Sequence, residues 1–148
     1  MRAPLVILLV ACALLVAACG GSSKRLTHAE FVARANAVCS KYNDRLKALP
    51  APRNAKQFAD LVHNGKALIK QEIAELRKLK PPAAEQSTFD GMLVGAEDGL
   101  PILDQMETAA RSGDLRQAQQ LDSKLGIKDS QVNAVARRLG LGACASRA

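Results

Sequence analysis

Aromatic residues are scarce in this chain of 148 residues: three Phe, one Tyr and no Trp. Few platforms are left on which the bases of a single strand could stack. The formal net charge of +7 therefore points away from nucleic acid and toward anionic lipid headgroups or acidic polymers. Histidine is scarcer still. His28 and His63 are the only two; neither follows a Glu by three positions, and Glu30 and Glu72 have no histidine at that spacing. The paired Glu-x-x-His ligands of a di-iron bundle are thus missing. There is no glycine-rich phosphate loop, and no strand–turn–helix frame that would make a serine a nucleophile. No segment alternates apolar and polar residues as a half-buried strand does, and no repeat of solenoid length is present. These absences leave no catalytic, cofactor or metal residue to assign, and a non-enzymatic chain is expected.

One long apolar run is present, at the N-terminus. Met1 and Arg2 form a minimal basic region, residues 3–16 are apolar, and Ala17 and Ala18 are small, the layout of a secretory signal. The run is short for a membrane span, which needs about 20 apolar residues. The four cysteines divide around it. Cys12 lies inside the run and leaves with it. Val16, Ala17, Ala18 and Cys19 together resemble the lipobox of bacterial lipoproteins, whose cysteine is the lipidated first residue of the mature chain. The resemblance implies removal of residues 1–18 and lipidation of Cys19. Leu9, Val10, Ala11 and Cys12 fit the same pattern, but a cut there leaves too short an apolar run. The alternative is an ordinary signal cut near Ala18, which leaves Cys19 a free thiol and a liability in an oxidising compartment. An acyl anchor holds firmly, each buried methylene contributing about 0.8 kcal/mol.

Cys39 and Cys144 remain for the folded part. In an exported chain an even pair is most simply one disulfide; the alternative is two separate buried thiols. They are 105 positions apart, and the bond is worth roughly 4.7 kcal/mol in the chain-entropy account. Two cysteines without nearby histidines make a poor zinc site.

Residues 19–25 read as a short tether, with Gly20, Gly21, Ser22 and Ser23 leading to Lys24 and Arg25. Residues 26–148 read as one domain. Thr27 and Glu30 form a capping box, with Leu26 and Phe31 placed as a hydrophobic staple. Phe31, Ala35, Val38, Tyr42, Leu46 and Leu49 then recur at helical spacing, until Pro50 and Pro52 stop the run. A second helix is expected over 54–80, capped by Asn54 and ended by Pro81 and Pro82. A third is expected over 83–111, kinked near 97–101 because Pro101 removes a backbone hydrogen bond. Ser112, Gly113 and Asp114 read as a stop-and-start turn. A fourth helix follows over 115–139, weakened at Gly126, with Gly140 and Leu141 set for a Schellman ending. Helix three is acidic (Glu85, Asp90, Glu97, Asp98, Asp104, Glu107). It is expected to present a solvated face to the basic second helix, with Lys66 beside Glu97 or Asp98.

Four helices with short connections predict an all-α fold: an antiparallel up-down-up-down four-helix bundle closed by one disulfide. In that order the end of the last helix lies beside the start of the first, which suits the Cys39–Cys144 pair. The chain also resembles a group of uncharacterised small helical lipoproteins and membrane-anchored envelope proteins of high-GC Gram-positive bacteria. The likeness rests on EFVARANAVCSKYNDRL, LRKLKPP, SGD and LGLGAC, and above all on the cysteines paired across the two ends. It implies a lipid-anchored location at the extracytoplasmic face of the cell membrane and carries no activity. The expected function is an interaction or binding module, with an envelope protein or anionic polymer as partner. The alternative is a bundle that binds a small apolar ligand or a metal in a groove opened by the Pro101 kink.

Overall fold

The computed structural model describes residues 24–146; the expected signal segment and Cys19 lie outside the described residues. Five helices are formed: α1 (His28–Lys47), α2 (Ala55–Leu76), α3 (Ala83–Glu97), α4 (Leu100–Arg111) and α5 (Leu115–Arg138). No strand occurs among the described residues.

The helix starts follow from side chains that satisfy otherwise open N–H groups. Glu30 Oε2 accepts from the Thr27 backbone N–H at 2.8 Å, and Thr27 Oγ1 accepts from the Glu30 N–H at 3.3 Å, completing the capping box. Leu26 packs on the cluster that contains Phe31. Asn54 and Asp114 each accept from the N–H three residues on, both at 2.9 Å. Two stops are glycines. Gly113 and Gly140 have φ of 80° and 76°, backbone that a Cβ would strain. The N–H groups of Asp114 and Leu141 reach back to the carbonyls of Ala109 and Ala136, both at 2.9 Å, the long bond of a Schellman turn.

Three expectations are corrected. The third helix does not merely kink but breaks into α3 and α4 across Asp98 and Gly99. Pro101 falls in the first turn of α4, where a missing N–H costs little. The second helix ends at Leu76 rather than 80, because residues 77–82 turn across to the segment before α1, with the Leu26 N–H donating to the Lys80 carbonyl at 2.8 Å. Leu115 is 53% exposed: it opens α5 just after the turn, before the helix reaches cover. Gly126 does not interrupt α5, and Ile127, out of phase with the inner stripe, is 65% exposed.

Two apolar clusters form the interior. The first joins Phe31, Ala35 and Cys39 of α1 to Phe89, Met92 and Leu93 of α3 and to Ala136, Leu139, Leu141 and Cys144. The rings of Phe31 and Phe89 meet edge to face at 4.9 Å, an arrangement the ring quadrupoles favour. The second joins Val62 of α2, Ile102, Leu103, Met106 and Ala109 of α4, and Ala118 and Leu121 of α5. None of its described members belongs to α1.

Cys39 and Cys144 are joined in a disulfide, their Cα atoms 5.0 Å apart. The segment after α5 is also held to α1 by amide side chains. Asn36 Oδ1 accepts from the Ala143 N–H at 2.9 Å, and Asn43 Nδ2 donates to the Ala143 carbonyl at 2.8 Å. The C-terminal segment is therefore strapped along α1 by three fixings spaced over two turns.

Candidate functional site

An apolar groove lies where α1 parts from the second cluster. With a volume of about 350 Å³, it runs between the last turns of α1, the middle of α2, the α3–α4 break and the middle of α5. Its floor and walls are Leu46 and Leu49, Leu61 and Ile69, Leu103 and Leu125. Space for it comes from small residues. On α2, Leu61, Gly65 and Ile69 fall on one helical face, and Gly65 omits the side chain that would fill the gap. A Cβ there would meet Leu46 Cδ2 at 3.7 Å and Leu49 Cδ1 at 4.0 Å, ordinary contact rather than a clash, so the glycine is not forced by packing.

Gly99 differs. A Cβ at this position would come within 3.1 Å of Leu125 Cδ1 and 3.3 Å of the Ala96 carbonyl. Its absence lets α5 close against the helix break. Asn43, Lys47 and Asp129 give the groove a polar rim. A second cleft of about 450 Å³ beneath Pro50 and Pro52 shares Leu49 and Leu61 with it and is bordered by Arg53, Gln57, Asp60 and Asn64. The size of the groove and its apolar lining with a few polar groups are those of a small-molecule site.

One turn beyond Ile69 on the same face of α2 stands Glu72, fully buried. It is the one charged side chain buried among the described residues. Periodicity alone does not reveal it, since a carboxylate on an apolar face reads as a boundary residue. Nearby, Tyr42 Oη donates to Glu75 Oε1 at 2.9 Å, and Lys41 Nζ donates to the same oxygen at 2.7 Å. Lys41 first, then Tyr42, hold the Glu75 carboxyl below its ordinary value, while burial pushes the Tyr42 hydroxyl up.

The acidic row spreads its charges over several neighbours. Lys66 does not meet Glu97 or Asp98. It donates instead to Glu107 at 2.8 Å and to Asp104. Glu107 also accepts from Arg111 at 2.9 Å and faces His63 Nδ1 at 3.1 Å. Glu97 pairs with Arg77 at 2.6 Å, Asp98 with Lys128 at 3.3 Å, and Glu85 with His28 at 2.8 Å. Lys66 and Glu107 are the sheltered members of this set, with side chains 13% and 14% exposed. Hydrogen bonding from Lys66 lowers the Glu107 carboxyl to about 2, against the opposing effect of burial and with help from Arg111 and His63.

Both histidines are exposed, each facing a single glutamate. Among the described residues no group of three or more His, Cys, Asp or Glu gathers to hold a metal ion. No described helix is long and apolar enough to cross a membrane. Of the residues singled out in the sequence, Cys39 and Cys144 are brought together, and the groove opens at the helix break next to Pro101. Compared with family models, with curated proteins and with solved structures, the chain matches none.

Proposed function

We propose that this is a non-enzymatic, lipid-anchored binding module of the cell envelope, held at the outer face of the membrane through Cys19, whose groove takes a small, largely apolar molecule. The observation that carries the binding role is the groove of about 350 Å³ framed by Gly65, Ala96 and Gly99. The anchor is supported by the apolar run and the lipobox-like residues before Cys19, and by the likeness to small helical lipoproteins of high-GC Gram-positive bacteria. In this reading α3 and α4 count as one broken segment of an antiparallel up-down-up-down four-helix bundle. Its support is the order of the cross-helix pairs. Asp60 with Arg111, Lys66 with Glu107 and Arg77 with Glu97 descend along one helix as they ascend the other. Lys41 with Glu75 and Arg45 with Gln71 do the same between α1 and α2.

Small-ligand binding is favoured over metal binding because the groove walls are leucine and isoleucine, which offer no ligand atoms. Gly65→Leu tests the site. The added side chain fills the groove from α2, where glycine has poor helix propensity, so the fold is expected to survive. An apolar fluorophore such as anilinonaphthalene sulfonate should bind the unaltered protein at one site and bind Gly65→Leu at least about tenfold more weakly, a loss of roughly 1.4 kcal/mol. Equal binding to both proteins, with unchanged thermal unfolding, would remove the groove from the account.

A further inference from the structure

Basic residues distant in sequence converge at the end of the molecule from which the tether leaves. We infer that this end is a docking face for anionic phospholipid headgroups, so that the domain rests on the bilayer rather than swinging from its anchor. The inference rests on the lipid-anchor reading only for the orientation of the domain.

Three segments build the face. Lys24 and Arg25 precede α1; Lys78 and Lys80 lie in the turn after α2; Arg137 and Arg138 end α5. The Leu26 N–H donates to the Lys80 carbonyl at 2.8 Å, and Arg25 Nη1 donates to the Pro81 carbonyl at 3.0 Å. These bonds bring the first two segments together. Asn36 Nδ2 donates to the Gly140 carbonyl at 3.3 Å, and a Cβ at Gly140 would lie 3.5 Å from Val32, which brings the end of α5 beside the first turns of α1. All six basic side chains are exposed, and Arg34 adds a seventh on α1.

The acidic groups at this end are fewer and already engaged. Glu30 accepts from Thr27, Glu85 faces His28, and Asp90 accepts from Gln86. At the opposite end, Arg45, Lys47, Arg53, Lys56, Arg111, Arg116 and Lys124 are interspersed with Asp44, Asp60, Glu107, Asp114 and Asp122, so the positive field there is weaker. The larger excess of positive charge is therefore placed where the chain leaves for Cys19. Residues 20–25 span at most roughly 20 Å even fully extended, so an anchored domain cannot carry this face far from the headgroups. Juxtamembrane basic clusters are drawn to anionic leaflets within about a Debye length.

The test uses the chain from residue 19 with Cys19→Ser, which keeps every described residue and has no acyl group. Its outcome is thus independent of whether Cys19 is lipidated. Cosedimentation at low ionic strength is expected with vesicles containing phosphatidylglycerol and not with vesicles of phosphatidylcholine alone. Reversing Lys78, Lys80, Arg137 and Arg138 to Glu should weaken binding about a hundredfold. Reversing Arg53, Lys56, Arg116 and Lys124 to Glu changes the net charge equally and should weaken it less than about tenfold. Similar losses in the two variants would overturn the assignment, because net charge alone would then explain binding. Binding to poly(glycerol phosphate) without binding to the vesicles would overturn it too, assigning the face to a wall polymer. Thermal unfolding of both variants excludes loss of the fold as the cause.

Discussion

Cys39→Ala/Cys144→Ala is expected to lower the free energy of unfolding by about 4 to 5 kcal/mol and the melting temperature by roughly 15 °C. The bond closes a loop across 105 positions, so its removal returns a large number of conformations to the unfolded chain. Native-state effects add to this. Cys39 is fully buried in the first cluster, next to Phe31 and Ala35, and alanine leaves part of that space empty. Without the bond, only Asn36 and Asn43 hold the C-terminal segment to α1 by side-chain bonds, each worth about 1 kcal/mol, and they cannot offset the loss. Urea denaturation of the unaltered protein with and without reductant provides the control. The reduced protein should match the double variant to within about 1 kcal/mol. A midpoint unmoved by both treatments would show that the strap contributes nothing.

Lys66→Met is expected to cost about 2 to 3 kcal/mol, the range for breaking a sheltered charge pair and leaving one partner behind. Lys66 holds Glu107 and Asp104 of α4 from α2, with its own side chain only 13% exposed. Removing it leaves the Glu107 carboxylate with Arg111 and His63, both of which are more exposed. The same pair sets an acid response. Glu107 in the folded protein takes up its proton only near 2, against an ordinary value of 4.5. The unfolded chain therefore binds the proton first as pH falls. The stability from this group is complete above about pH 4.5 and is lost progressively toward pH 2. In Lys66→Met that part of the acid dependence should shrink, which isolates it from the lowered carboxyls of Glu30 and Glu75. Urea midpoints of both proteins between neutral pH and pH 2 check this. Parallel pH profiles would mean that Lys66 does not set the Glu107 carboxyl. The double variant Lys66→Met/Glu107→Leu should cost less than the sum of the two single variants.

The capped helix starts and the two glycine stops were legible because each is a local chemical event. Thr27 with Glu30, Asn54, Asp114, Gly113 and Gly140 act on backbone groups within one turn. The disulfide was legible from cysteine parity once the chain was read as exported, and the structure pairs the same two residues. The α3–α4 break was visible as strain at Pro101 and lies within the expected 97–101, but as a full break rather than a kink. Proline is excluded from a helix interior and welcome in a first turn, so the chain ends one helix at Glu97 and starts another at Leu100. Cross-helix pairing was not legible, because Lys66 could meet any carboxylate along the acidic row. Register depends on how far residues 77–82 carry the chain, a stretch tied to the segment before α1 through Leu26 and Arg25. The groove was foreseen at the helix break, but Gly65, which opens it from α2, carries no signal in the sequence. An isolated glycine in a helix reads only as a weakness. Buried Glu72 was missed for a related reason, since a carboxylate at a boundary position looks the same in sequence whether it turns in or out.

The anchored location is tested most directly by intact-mass measurement of the unreduced protein extracted from membranes of its own host. The expected species begins at Cys19, lacks residues 1–18, and carries a diacylglyceryl group on that cysteine. Its mass should rise on reduction by the hydrogens of one disulfide. A membrane-extracted chain that retains residues 1–18, or one that carries Cys19 unmodified, would contradict the account.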